Sequence, residues 1–127
     1  MTGRPSDGDA PPSVAVVVCT YRRPAVLARL LRRLVDVAAA ADGRATVGVV
    51  VVDDDPDTSA RDTVASMSDA FELGVEYVST ASGNISTARN AAVDAGTTVA
   101  QLVAMTDDDC LPDVDWLVEL LEVRDRT

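Results

Sequence analysis

Residues 14–24 read VAVVVCTYRRP, a continuous apolar run followed by a polar turn and a proline. An uninterrupted run rich in β-branched residues is typical of a strand that is buried on both faces, as in a parallel sheet. Pro24 suits the first turn of a helix, because the N–H that it lacks would be unpaired there anyway. The segment therefore predicts a buried strand, a polar loop and a helix in succession.

The same alternation continues along the rest of the chain. Three further apolar runs, each predicted as a strand, lie at 47–52, 75–78 and 98–105. Segments with apolar residues at helical spacing are predicted as helices at 26–41, 58–68, 85–95 and 116–127. Gly43 and Gly96 are predicted to cap two of them. Strands that alternate with helices indicate fold class α/β, with a Rossmann-like parallel sheet and helices on both faces.

The length of the chain, 127 residues, fits a single domain. Residues 1–13 are polar, contain glycine and proline, and lack the apolar core of a signal peptide, so we predict a disordered N-terminal segment there. The domain itself is predicted over residues 14–127. No stretch approaches the roughly 18 apolar residues of a membrane span. The sequence thus predicts a cytoplasmic protein without a transmembrane segment.

Composition excludes several classes of protein. Eleven basic and 21 acidic residues give a net charge of −10, which argues against nucleic acid or an anionic membrane as partner. The chain has no histidine, which excludes Ser–His–Asp and Cys–His catalysis and His-based zinc sites. It also has no lysine, which excludes P-loop and Schiff-base chemistry. Cys19 and Cys110 are predicted to be semi-buried free thiols.

Two acidic clusters follow predicted strands: residues 53–57 read DDDPD, and residues 107–109, just beyond Thr106, read DDD. In parallel sheets, ligands bind outside the carboxyl ends of the strands, near the point where strand order reverses. Adjacent carboxylates repel one another, and a divalent cation with oxygen ligands relieves that repulsion. The alternative is a solvated acidic loop with helix caps, which we favour for Asp113 and Asp115.

Arg89 lies on a predicted helix next to the same edge of the sheet. An arginine there has two interpretations, an ion pair to an aspartate or a ligand for phosphate. The residues alone leave both open.

Four segments, in order, resemble family-2 glycosyltransferases of the GT-A fold. Residues 14–24 resemble the first strand and loop of that family, and 50–54 (VVVDD) resemble its second strand and acidic end. Residues 83–92 (GNISTARNAA) match its Gly-x-x-x-x-Ala-Arg-Asn helix, and 107–117 (DDDCLPDVDWL) resemble its Asp-x-Asp metal motif. The resemblance implies the N-terminal half of such an enzyme, which binds the nucleotide-sugar.

The resemblance further implies a UDP-linked nucleotide-diphospho-sugar as donor. The residues that it places at the nucleotide are Thr20, Tyr21, Arg22, Asp53, Arg89, Asp107 and Asp108. Thr20 and Tyr21 would line the nucleobase pocket, and Asp53 would accept a hydrogen bond from the base. Arg89 would approach the diphosphate or brace the acidic motif, and Asp107 would lie near the ribose and sugar.

The same resemblance assigns a metal ion, Mg²⁺ or Mn²⁺, to Asp109. The ion would bridge the diphosphate and act as a Lewis acid that stabilises the departing nucleoside diphosphate. This role suits a chain without lysine and histidine, because metal and arginine would replace them.

The chain departs from the family beyond the Asp-x-Asp motif. The family's acceptor region and general base normally lie well past that motif, whereas the carboxylates of the last predicted helix of this chain lie too close to it. We therefore leave the catalytic residues and the acceptor (glycan, lipid or small molecule) unassigned, and expect no transfer by this chain alone. The open alternatives are an inactive truncated fragment, a non-catalytic nucleotide- and metal-binding module, and a structural α/β domain.

Because the family continues its sheet beyond the fourth strand, the run at 98–105 is expected at an exposed edge. It is apolar and lacks the charges and prolines that protect edge strands, so we expect self-association.

Overall fold

Four parallel strands form one sheet in the described part of the chain, residues 10–126 of the computed structural model. The strands are β1 (Ser13–Thr20), β2 (Thr46–Asp53), β3 (Val75–Ser79) and β4 (Leu102–Asp107). Their order across the sheet is β3-β2-β1-β4, and every neighbouring pair is parallel. The predicted parallel sheet is confirmed.

The central strand β1 pairs with β2 along its whole length and with β4 over residues 14–19. Residues 14–18 are all buried. Since both edges of β1 are hydrogen-bonded and both of its faces are covered, only apolar side chains fit there. This is why the segment reads VAVVV.

Between residues 10 and 126, four helices cover the sheet: α1 (Pro24–Ala40), α2 (Arg61–Ala65), α3 (Ile85–Val99) and α4 (Trp116–Arg126). Side chains alternate between the two faces of a strand. Val14, Val16 and Val18 pack with residues of α1, α2 and α4. Ala15 and Val17 pack with α3 on the opposite face. The prediction of helices on both faces is confirmed.

Helix α1 begins at Pro24, which was predicted to lie in its first turn, and with 17 residues it is the longest helix of residues 10–126. Its buried side chains recur at helical spacing and are Leu27, Leu30, Leu31, Leu34 and Val37. Within residues 10–126, no helix combines the length and the apolar character needed to cross a membrane.

The boundary between α3 and β4 differs from the prediction. Helix α3 continues through Gly96 to Val99, and β4 begins only at Leu102. Gly96 is therefore not a cap: a Cβ there would lie 2.8 Å from Val17 Cγ1 and 3.0 Å from Val103 Cγ2. The glycine therefore serves the close packing of α3 on the sheet rather than the end of the helix.

Three other boundaries also differ. Helix α2 covers only 61–65 of the predicted 58–68, because residues before it turn back to place backbone N–H groups on the carboxylates of Asp53 and Asp55. The cap of α1 is Ala41, and Gly43 (φ +83°) lies in the turn after it. Of the predicted disordered segment 1–13, residues 1–9 lie outside the described residues, and Ser13 already belongs to β1.

The order of the strands reverses at β1. From β1 the chain moves outward to β2 and β3, and then crosses to β4 on the other side of β1. The loops after β1 and β4 consequently diverge and leave a crevice at their carboxyl ends, where ligands bind in sheets of this type.

Replacing Gly96 with alanine is expected to lower the free energy of unfolding. Overpacking against two stiff valines costs about 1–3 kcal/mol, and the better helix propensity of alanine offsets no more than about 1 kcal/mol of that. Urea denaturation measures the difference. Thr97→Ala, at the exposed neighbouring position, is the matched control and should be neutral or slightly stabilising. A Gly96→Ala variant as stable as the wild type would contradict the prediction.

Strand β4 is predicted to mediate self-association. Its position at one edge of the sheet is as expected, and Met105 on it is 41% exposed. An unprotected apolar edge offers unpaired backbone groups to another copy, and a lysine on such an edge blocks pairing. We expect Met105→Lys to reduce association measured by light scattering at high concentration.

Val93→Lys is the control for this experiment, because Val93 is 40% exposed on α3 and the variant adds the same charge away from the edge. It should reduce association less than Met105→Lys. A wild-type protein that stays monomeric at high concentration would show that the edge does not drive association.

Candidate functional site

A cleft of about 450 Å³ lies at the switch point of the sheet. It is bordered by the loop after β1, the end of β2 and the first turn of α3, through Cys19, Thr20, Tyr21, Arg23, Asp54, Gly83, Ile85 and Ala88. The structure therefore brings three of the segments predicted to be functional to one place.

The loop after β1 places its two arginines differently. Arg22 has a left-handed backbone (φ 54°), and its Nε donates to Asp55 Oδ1 at 3.0 Å. Its guanidinium carbon lies 5.1 Å from the ring centroid of Tyr21, whose side chain lines the cleft and is half exposed. Arg22 thus supports Tyr21 and is not among the residues that line the cleft. Arg23, which was not predicted as a site residue, lines it.

Asp53, predicted to meet the nucleobase, is fully buried. Its Oδ1 accepts from the N–H of Asp55 at 3.2 Å, and its Oδ2 accepts from the N–H of Ala60 at 3.0 Å and from Tyr77 Oη at 2.7 Å. Burial, with this hydrogen bond, raises the pKa of Tyr77 to about 12. The structure uses Asp53 to hold the turn before α2, away from the cleft.

Asp54 lines the cleft in its place. Its Oδ1 accepts from Thr80 Oγ1 at 2.6 Å and from the N–H and Oγ of Ser82 at 2.6 and 2.8 Å. The hydrogen bonds from Thr80 and then Ser82 lower the pKa of Asp54, so the group is a carboxylate at neutral pH. The alternation of side chains along β2 could have predicted this position. Val50 and Val52 face α3, and residue 54 continues on that face.

The acidic triplet 107–109 splits between two environments. Asp107 and Asp109 are exposed, whereas Asp108 is 2% exposed. Asp108 accepts a hydrogen bond from Thr20 Oγ1 at 2.9 Å and one from Arg23 Nη2 at 2.6 Å. Although Asp108 was predicted to contact the nucleotide, the structure directs it into the protein, so it links β4 to the loop after β1.

Arg89 forms an ion pair with Asp107, at 3.7 Å between Nη2 and Oδ1. Of its two interpretations, the ion pair is the one present in this structure. Both side chains remain about half exposed or more, so a phosphate at this position could still reach the guanidinium.

Asp107, Asp109 and Cys110 each direct one possible metal ligand to a common position, with the three atoms within 4.8 Å of one another. Carboxylate oxygens suit Mg²⁺ and Mn²⁺, whereas a thiolate suits softer ions. Mg²⁺ is usually held by one or two carboxylates together with substrate phosphates and water. The exposed pair Asp107 and Asp109 therefore fits the predicted ion without Cys110.

The first turn of α3 closes one side of the cleft. Gly83 has a positive φ of 66°, and the side chain of Asn84 accepts from the N–H groups of Ser86 and Thr87. Because Asn84 caps the helix in this way, the start of α3 and its Ile85 are fixed beside the cleft.

The two cysteines are free, as predicted, but differ in exposure. Cys19 is partly buried in the cleft wall, and burial raises the pKa of its thiol. Cys110 is exposed rather than semi-buried.

Comparison with known proteins identifies the family of the chain. Residues 15–127 match the family described as Glycosyl transferase family 2. Succinoglycan biosynthesis protein ExoM of Rhizobium meliloti (strain 1021) is 39% identical over 114 residues, which are 90% of this chain and 35% of ExoM. The chain thus spans about a third of the length of that relative.

Two crystal structures of S. aureus TarS, one of them of its residues 1–349, share the fold. Each superposes on 90% of this chain with a TM-score of 0.67 and 21% identity, and the match covers 20% and 32% of the respective TarS chains. The family match over most of the chain, the identity to ExoM and the shared architecture lead to one conclusion. The chain belongs to glycosyl transferase family 2 and has the GT-A fold.

Proposed function

We propose that this domain binds a nucleotide-diphospho-sugar, UDP-linked, together with Mg²⁺ or Mn²⁺, as the donor site of an inverting glycosyltransferase. The observation that carries the proposal is the position of the cleft, which places an aromatic ring and a carboxylate beside an arginine that contacts the acidic triplet. Membership of the family supports the same reaction class.

The nucleobase is proposed to bind between Tyr21 and Asp54. The half-exposed ring of Tyr21 is held from behind by Arg22, which gives a flat apolar surface for a base. Asp54 is a hydrogen-bond acceptor fixed by Thr80 and Ser82 and can accept the imide N–H of uracil. We therefore propose Asp54, rather than the buried Asp53, as the residue that meets the base.

The diphosphate is proposed to lie toward Asp107 and Asp109, which would hold the ion. When bound, the ion would supply Lewis acidity to the departing nucleoside diphosphate. Without a cation these carboxylates would repel a diphosphate, and the net charge of −10 adds to that repulsion. The chain's own cations at this place are Arg23 and Arg89, each of which already contacts the triplet.

The proposal leaves the acceptor and the general base unassigned. The carboxylates of α4, such as Glu119 and Glu122, lie on the helix after the triplet, and no contact joins them to the cleft among residues 10–126. The acceptor is therefore proposed only as a glycan, lipid or small molecule.

Nucleotide and metal are expected to bind with positive coupling. Because phosphates supply ligands that the two carboxylates do not, UDP should bind weakly alone and more tightly with Mn²⁺. Asp109→Asn should lower the metal-dependent affinity by at least about tenfold, a loss seen even for residues that only support a metal ligand. Calorimetric titration of UDP with and without Mn²⁺ measures both effects.

Asp115→Asn is the control for this titration. Asp115 precedes α4, and its carbonyl accepts from the N–H of Glu119 at 2.9 Å, the position of a helix cap. Asparagine also caps well, so stability should fall by about 1 kcal/mol or less and the coupling should persist. Equal affinity for UDP with and without Mn²⁺ would mean that the triplet is only a solvated loop.

Asp53 and Asp54 are expected to respond differently to the same substitution. Asp53→Asn places an amide against buried donors and should cost about 1–3 kcal/mol of stability. Asp54→Asn should instead weaken uridine binding, because Thr80 and Ser82 occupy the amide oxygen and leave the NH₂ group to face the imide N–H. Thermal unfolding and uridine titration separate the two, with Asp62→Asn on the exposed side of α2 as control. Loss of uridine binding in Asp53→Asn alone would reverse the assignment.

A further inference from the structure

The buried carboxylate of Asp108 holds one side of the Arg23 guanidinium. Oδ1 of Asp108 accepts from Arg23 Nη2 at 2.6 Å, and Oδ2 accepts from Thr20 Oγ1 at 2.9 Å. A carboxylate that is 2% exposed is costly unless it is paired and hydrogen-bonded. Both oxygens of Asp108 are used in this way, so the arginine is fixed at the Nη2 end.

The other end of Arg23 remains available. The side chain is about half exposed and lines the cleft. A guanidinium has five N–H donors. Within residues 10–126 the hydrogen-bond partner of Arg23 is Asp108, and Asp109 lies 3.7 Å from Nη1, close enough for an ion pair but not for a hydrogen bond. An anion in the cleft can therefore reach unused donors.

Neither of the other two arginines near the cleft is placed in this way. Arg22 is turned to Asp55 and stacks behind Tyr21. Arg89 is paired with Asp107 and is not among the residues that line the cleft. Arg23 alone of the three both lines the cleft and is anchored by a buried carboxylate.

We propose that Asp108 is a positioning residue that orients Arg23, so that the remaining donors of Arg23 bind the diphosphate of the donor. The proposal rests on the proposed function, since it names the group that recognises the phosphates there. A guanidinium is a planar fork that can hold a carboxylate on one side and phosphate oxygens on the other. A fixed arginine loses less entropy on binding than a free one.

The direction in which Asp108→Asn changes the affinity for anions separates this role from simple electrostatics. Asp108→Asn removes a negative charge near the cleft, and on charge alone it should strengthen the binding of any anion. The change would also remove a carboxylate that competes with the anion for the Arg23 guanidinium. If Asp108 positions Arg23, the same change should instead weaken anion binding, because the guanidinium loses its anchor.

The experiment compares uridine, UDP and inorganic pyrophosphate by calorimetric titration at a fixed concentration of Mg²⁺. In Asp108→Asn we expect UDP and pyrophosphate affinities to fall about tenfold, the size of one lost charge-assisted hydrogen bond. Uridine affinity should stay unchanged, because the carbonyl of asparagine can still accept from Thr20. A purely structural role would weaken all three ligands together.

Glu122→Gln is the matched control. It breaks another arginine–carboxylate pair, Arg44 with Glu122 at 3.4 Å, on residues that do not line the cleft. It should leave all three affinities unchanged. Arg23→Lys is a second variant, for use if Asp108→Asn folds poorly. It keeps a positive charge at position 23, so the buried Asp108 still has a partner. Because lysine lacks the planar guanidinium, this variant should lower the affinities for UDP and pyrophosphate and leave the affinity for uridine unchanged.

The outcomes distinguish the two proposals. UDP or pyrophosphate affinity that is unchanged or higher in Asp108→Asn overturns the role of Asp108, while UDP binding by the wild type still supports the proposed function. If pyrophosphate binding depends on Asp108 but UDP binds no more tightly than pyrophosphate, the positioning role is supported and the nucleotide site is contradicted. A wild type that binds neither ligand overturns both.

Discussion

The burial of β1 on both faces and along both edges constrains the rest of this domain. The enclosed residues 14–18 cannot be polar, so beyond Ser13 at its start the strand offers polar side chains only at its carboxyl end, at Thr20 and in the loop that follows. The neighbouring strands end at the same level, with Asp53 of β2 opposite Thr20 and Asp107 of β4 opposite Cys19. The polar side chains of the site therefore lie together at the carboxyl ends of the strands, because the buried centre of the sheet excludes them.

Much of this arrangement can be predicted from the sequence, since buried parallel strands have a distinctive composition. The apolar runs, the proline that begins α1 and the acidic segments after β2 and β4 were all predicted, and the parallel sheet is confirmed. What the pattern does not contain is the identity of the neighbours. Gly96 looks like a helix cap until one knows that Val17 and Val103 lie beneath it.

The same reason explains the site residues that the sequence did not distinguish. Asp53 and Asp54 are adjacent and chemically identical, and they separate only because β2 directs one toward α2 and the other toward α3. Arg22 and Arg23 point in different directions because Arg22 has a left-handed backbone. This conformation is uncommon outside glycine and is therefore hard to predict from the sequence. The roles of these residues thus depend on which helix covers which face, and tertiary structure alone decides that.

The pairing of β4 with β1 has a consequence for the order of folding. The contacts between Thr20 and Asp108 join residues 88 positions apart, whereas Arg22 and Asp55 are 33 apart. Closing the longer loop costs more chain entropy, so we expect β4 to dock after β1 and β2 have met. In that order, Asp108 and the triplet around it would reach the cleft only in the last step. A ligand that contacts both the loop after β1 and the triplet binds only the docked form, and so would stabilise β4 against opening.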